Sequence, residues 1–197
     1  MEAKVSAVLE QLAVSGLEKC CAKISRVSAG AWEIGGVGIS RGTVGDALAQ
    51  HDFTHPAVAV YFNVKGEFPF TSLMLVDLND TGHILQSYLG STFPHAGEFT
   101  HPVEVMLTEI GNIILNSLIN SVLNALKRSA MPPVPGCAHG DAGSLAAALG
   151  GCAASGDCRI VTVSLCVRYG ERVSKGEIIA LIPAELEHEM ERLCKTS

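Results

Sequence analysis

Two pairs of strand-like runs limit this chain more than anything else in its sequence. Residues 57–64 read AVAVYFNV and residues 71–78 read TSLMLVDL, separated by a turn at Lys65-Gly66-Glu67. About a hundred residues later the pattern returns. IVTVSLCV at 160–167 and EIIALI at 177–182 flank a turn at Tyr169-Gly170-Glu171. Runs rich in β-branched residues around a short glycine turn predict β-hairpins. Hairpins form antiparallel sheet, and a sheet with one apolar face needs a layer packed against it.

The rest of the chain supplies that layer. Residues 5–25 carry apolar side chains at helical spacing and predict a first long helix. A second begins near Thr100, where Thr100 suits the cap, Pro102 the first turn and Glu104 the positive end of the helix dipole. Lys127 and Arg128 suit its other end, and Pro132-Pro133 forbids continuation. Residues 31–40 read as a glycine-interrupted strand and residues 42–50 as a short helix. Residues 83–89, stopped by Gly90, read as another short helix. The Gly/Ala/Ser-rich stretch 136–156 holds a short helix around Leu145, and Pro183 introduces a last helix over 185–193.

Side by side, the two halves repeat one order of elements: long helix, irregular strand and short helix, hairpin, short helix. The expected fold class is therefore α+β, one domain over 1–197 with pseudo-two-fold halves of about 1–95 and 96–197. Two long helices pack on one face of its antiparallel sheet.

Composition narrows the function. The chain is 48% hydrophobic and 17% charged, which suits a packed core, and its formal net charge of −6 argues against a nucleic-acid partner. No secretory signal is evident at the N-terminus, and the longest apolar run, 110–125, is interrupted by asparagines and makes a poor membrane span. Seven cysteines without a C-x-x-C pair fit reduced thiols in a cytoplasm. Cys137, His139, Cys152 and Cys158 lie close in sequence but at no zinc-ligand spacing, so no metal site is expected.

The second long helix holds the chemistry. From Thr108 it reads TEIGNIILNSLINSVLNALKR, with asparagine at 112, 116, 120 and 124 and a glutamate one turn before the first. Asparagine is a poor helix former. At about 100° per residue, Glu109 and all four asparagines share a sector of about 120°, with Ile113 among them. Leu115, Leu118, Ile119, Val122, Ala125 and Leu126 fall on the opposite side, toward the core. Asn120 and Asn124 fit a solvated polar face. Asn116 fits that face and a contact surface equally well.

Glu109-Ile110-Gly111-Asn112, followed after twenty-two intervening residues by Pro135, resembles the signature of the CheC/CheX/FliY chemotaxis phosphatases. In that family an Asp or Ser stands four residues before the Glu; here the position holds Val105, and the adjacent Glu104 faces elsewhere. The helix exit Met131-Pro132-Pro133 and the duplicated layout resemble the family too.

The resemblance implies a protein phosphatase that accelerates hydrolysis of the aspartyl phosphate of a CheY-like response-regulator receiver. Asn112 would position the attacking water and Glu109 would pair with the receiver's active-site Lys, with Ile113 and Asn116 on the partner surface. The receiver supplies the divalent metal (Mg), so no cofactor of the chain's own is expected. An amide orients a water without acting as a base, as a glutamine does in GTPases. An alternative is a non-catalytic module that docks on a phosphorylated receiver, a flagellar-switch protein or a CheD-like protein, as a monomer or homodimer. The first long helix offers Glu10-Gln11-Leu12-Ala13-Val14 at the corresponding place. Neither alignment of that segment reproduces the Glu/Asn pair, so one active half is expected. Other motifs carry less: His188-Glu189 lacks the second histidine of a metalloprotease helix, and Gly35–Gly45 lacks a P-loop lysine.

Overall fold

A computed structural model of the chain describes residues 2–65, 67, 69–91, 98–129, 134–150 and 157–196. The Met131-Pro132-Pro133 exit, Cys152, the glycines at 151 and 156 and the turn residue Gly66 lie outside the described residues. The first half contains α1 (Glu2–Val27), β1 (Ala31–Gly42), α2 (Val44–Leu48), β2 (Ala57–Val64), β3 (Phe70–Asp77) and α3 (Thr81–Leu89). The second contains α4 (His101–Ala125), β4 (Gly136–Gly140), α5 (Ala142–Gly150), β5 (Cys158–Tyr169), β6 (Arg172–Ile182) and α6 (Ala184–Thr196).

The six strands form one sheet in the order β1-β5-β6-β3-β2-β4, with every pairing antiparallel. Exchanging each strand for its counterpart in the other half returns the same order reversed. The sheet therefore has an approximate two-fold relation about its central β3–β6 pair. Gly35 and Gly36 sit where β1 slips register against β5, between Ile34 and Val37, which accounts for the irregular look of this strand.

Alternation along the strands sorts the core into two layers. Val58, Val60, Phe62, Met74, Val76, Val161, Val163, Leu165 and Ile178 meet the long helices α1 and α4, with α3 and α6 beside them. On the opposite face Ala57, Ala59, Leu73, Leu75, Ile160, Ile179 and Leu181 meet Ala47 and Leu48 of α2 and Leu145 and Leu149 of α5. The long helices thus share one face, as the sequence predicts, and the short helices cover part of the other. The α4 helix has the length and apolarity to cross a membrane, yet its apolar residues pack into the first layer. At the far side Glu187 of α6 accepts hydrogen bonds from Arg41 of β1, at 2.8 and 2.7 Å, and from Arg159 of β5. This network ties the last helix across two strands.

The β4 strand is absent from the sequence reading. GCAHG has neither alternation nor β-branched residues, and β2 supplies its pairing partner along the sheet edge.

Candidate functional site

The motif glycine explains how α4 is seated. A Cβ on Gly111 would lie 2.6 Å from Cγ1 and 2.8 Å from Cβ of Val60, so the helix backbone rests directly on β2. Ile110 and Ile114 on either side are fully buried. With these three positions committed to the sheet, helical geometry sends the residues between them outward. Glu109 is exposed, Asn112 and Asn116 are half-buried, and Ile113 and Val105 are 41% and 45% exposed. The sequence-predicted residues Glu109, Asn112, Ile113 and Asn116 therefore come together on one accessible face.

Within that face Nδ2 of Asn116 donates to Oδ1 of Asn112 at 2.6 Å. The bond joins side chains one turn apart and holds the Asn112 amide in a single orientation. Oδ1 keeps one lone pair and Nδ2 both of its hydrogens, so Asn112 can accept from a water and donate to an oxygen of a bound group. Glu104 turns away, its carboxylate 3.5 Å from Nδ1 of His101. Val105 stands in line with Glu109 and presents only methyl groups.

Beside this face α1 and α4 approach so closely that a Cβ on Gly16 would lie 2.9 Å from Cβ of Ser121. Ser117 Oγ donates to the Gly16 carbonyl at 2.9 Å, and Ser121 Oγ to that of Leu12 at 2.7 Å. Above these serines runs a groove of about 450 Å³, with Asn116, Asn120 and Asn124 on one wall and Lys19 and Lys23 on the other. Sequence reasoning missed the groove because it belongs to two helices. The available signal was Ser15, Lys19 and Lys23, spaced four apart on α1.

The cysteines offer no competing nucleophile at these positions. Burial pushes the Cys21 thiol up to about 12, with neighbouring Cys20 adding to the effect. Burial likewise raises Cys137 to about 11, against the opposing hydrogen bond from Thr108. Neither supplies a thiolate at neutral pH. Cys137 and His139 lie in β4 and Cys158 opens β5, four places away in the sheet, about 19 Å at ordinary strand spacing. Among the described residues no group of three His, Cys, Asp or Glu gathers to hold a metal.

No protein-family model matches the sequence, and no curated protein does. Solved structures do match its fold. FliY from Thermotoga maritima superimposes with a TM-score of 0.73 at 13% identity, over 100% of this chain and 98% of that one. FliM from H. pylori, in a FliG–FliM complex, gives 0.62 at 14% identity, over 93% and 96%. The CheX-CheY-BeF3-Mg2+ complex from Borrelia burgdorferi gives 0.52 at 14% identity, over 87% and 96%. The chain has the fold shared by FliY, the FliM middle domain and CheX.

Proposed function

We propose that this chain accelerates hydrolysis of the aspartyl phosphate on a CheY-like receiver, Asn112 positioning the water and Glu109 fixing the angle of approach. The observation that carries the reading is the pairing of an exposed Glu109 with an amide at Asn112 that Asn116 holds in place. A receiver brings its own divalent metal and lysine to the acyl phosphate, so charge at the phosphorus is already largely neutralised. The remaining need is a water held in line, and orientation of this kind lowers a barrier by removing entropy rather than by acid–base chemistry. Asn112 has the donor and acceptor to do it. Glu109 reaches the receiver's lysine as a charge-assisted pair. The fold neighbour CheX was solved with CheY, BeF3 and Mg2+, which supports a receiver as the partner.

A second reading has its own support. Val105 removes a polar group from the face, and FliM, solved in a complex with FliG, matches with a TM-score of 0.62 against 0.52 for CheX. In this reading the chain docks on a phosphorylated receiver, a switch protein or a CheD-like protein in the cytoplasm without turning over phosphate. Decay of a radiolabelled phosphoreceiver, with and without the protein, separates the two. Faster decay that requires Glu109 and Asn112 establishes the phosphatase; binding with unchanged decay establishes the docking module.

A further inference from the structure

The groove between α1 and α4 shares Asn116 with the proposed hydrolysis, and its other features are ones that the hydrolysis does not use. Its floor is made of small residues, Gly16, Ser117 and Ser121, with both serine hydroxyls already turned down onto α1 carbonyls, and Cys20 and Ile113 close one end. One wall repeats an amide every fourth residue, at Asn116, Asn120 and Asn124. The other repeats an ammonium at the same interval, at Lys19 and Lys23. Among the described residues these two lysines are the only charged groups lining the groove, although the chain as a whole carries −6. Asn120 and Asn124 are exposed, and their side chains make no hydrogen bond to any described residue.

The interval decides what fits. Residues four apart on a helix are about 6 Å apart along its axis. In an extended chain every second residue turns its N–H and C=O to the same side, a repeat of about 6.7 Å. A carboxamide has one acceptor and a donor pair, so it can take that N–H and give to that C=O. Successive asparagines on α4 therefore match successive backbone pairs along one edge of an extended segment. Over the span from Asn116 to Asn124, about 12 Å, the match covers three or four residues.

We infer that this groove binds an extended, acidic peptide segment of a partner protein. The two helices run antiparallel, with Leu12 beside Ser121, Gly16 beside Ser117 and Cys20 beside Ile113. Asn120 and Asn124 therefore engage the segment's backbone toward one end of the groove, while Lys19 and Lys23 pair with carboxylates on alternate residues toward the other. Alternation follows from the walls: side chains pointing to the serine floor have to be small, and those pointing out meet the lysines. An apolar helix is a poor occupant, because the asparagine wall is polar and a helix keeps its backbone groups to itself. Binding here does not depend on hydrolysis at Glu109 and Asn112, and the residues tested are outside that pair.

The test titrates the full chain with a labelled (Ser-Glu)4 peptide, its (Ser-Lys)4 counterpart, and a (Ser-Glu)4 peptide N-methylated on alternate residues. Measurable binding is expected for the first alone. Replacing Asn120 and Asn124 together by Ala is expected to weaken it about tenfold. Replacing Lys19 and Lys23 by Gln is expected to weaken it similarly and to flatten its salt dependence. Receiver dephosphorylation should persist in the double asparagine variant, whose residues lie about two and three helical turns from Asn112, which keeps this result separate from the proposed activity. Three results would overturn the inference: no binding of the acidic peptide, equal binding of the basic or N-methylated one, or unchanged affinity in the double asparagine variant.

Discussion

Glu109 is exposed and Asn112 half-buried; their distinction is relative position and, for Asn112, what holds it. The hydrogen bond from Asn116 takes one acceptor site of Asn112 and leaves its donors for a ligand. If water placement is its role, Asn112→Ala should lower accelerated dephosphorylation by about a hundredfold or more while leaving receiver affinity nearly unchanged. Asn116→Ala should give a smaller loss in turnover at unchanged affinity, because the amide remains but is free to rotate. Single-turnover decay and equilibrium titration on the same variants read both quantities. Glu109 is tested by sign. Glu109→Lys sets a cation against the receiver's lysine and should weaken binding at low salt by about tenfold or more beyond Glu109→Ala. Equal affinities would remove Glu109 from the interface. The sequence alone brings Glu109, Asn112, Ile113 and Asn116 to one face because helical periodicity fixes direction. It is silent on the Asn116–Asn112 bond, which depends on side-chain rotamers.

At the scale of the element, α4 owes its seating to Gly111 and its ending to an unusual residue. Gly111→Ala would press a methyl group into Val60, with a Cβ 2.6 Å from Cγ1, and should cost about 1–3 kcal/mol in chemical denaturation. The end of α4 is a Schellman turn: Arg128 N–H donates to the Leu123 carbonyl at 2.9 Å and Lys127 N–H to that of Asn124 at 3.0 Å. Lys127 takes the left-handed position at φ 53, where glycine is the usual occupant. Lys127→Gly should therefore stabilise the protein by about 1 kcal/mol, read as a higher denaturation midpoint at unchanged slope. Sequence reasoning carries the helix to Arg128 because two basic residues fit a C-terminus and no glycine marks the stop. For the same local reason β4 is not legible: its conformation comes from β2, about 80 residues earlier in the chain. The first hairpin, whose own composition determines it, is legible almost to the residue; the second is legible in place but runs longer, its return strand beginning at Arg172, five residues before the apolar run at 177–182.

The whole molecule raises the question of how many sites a symmetric sheet carries. Its strand order is the same from either end, and α1 and α4 lie side by side on one face, so a second site is geometrically available on α1. Burial selects the alignment of the two helices. Val5, Leu9, Ala13, Leu17, Cys20, Cys21 and Ile24 fall on Val103, Leu107, Gly111, Leu115, Leu118, Ile119 and Val122, and all fourteen are buried. This places Gln11 against Glu109 and Val14 against Asn112. The other alignment, with Glu10 against Glu109, would put the core residue Ala13 at the position of half-buried Asn112. In the alignment that burial selects, valine stands where the water-holding amide is needed, and valine neither donates nor accepts a hydrogen bond. Gln11 supplies an exposed amide one turn away, with no carboxylate at the paired position. One receiver is therefore expected per chain, docked over α4. Titration with a receiver locked in its phosphoryl-mimic state should saturate at one equivalent. Saturation at two equivalents would overturn this, as would activity that persists in Asn112→Ala and disappears when Gln11→Ala is added.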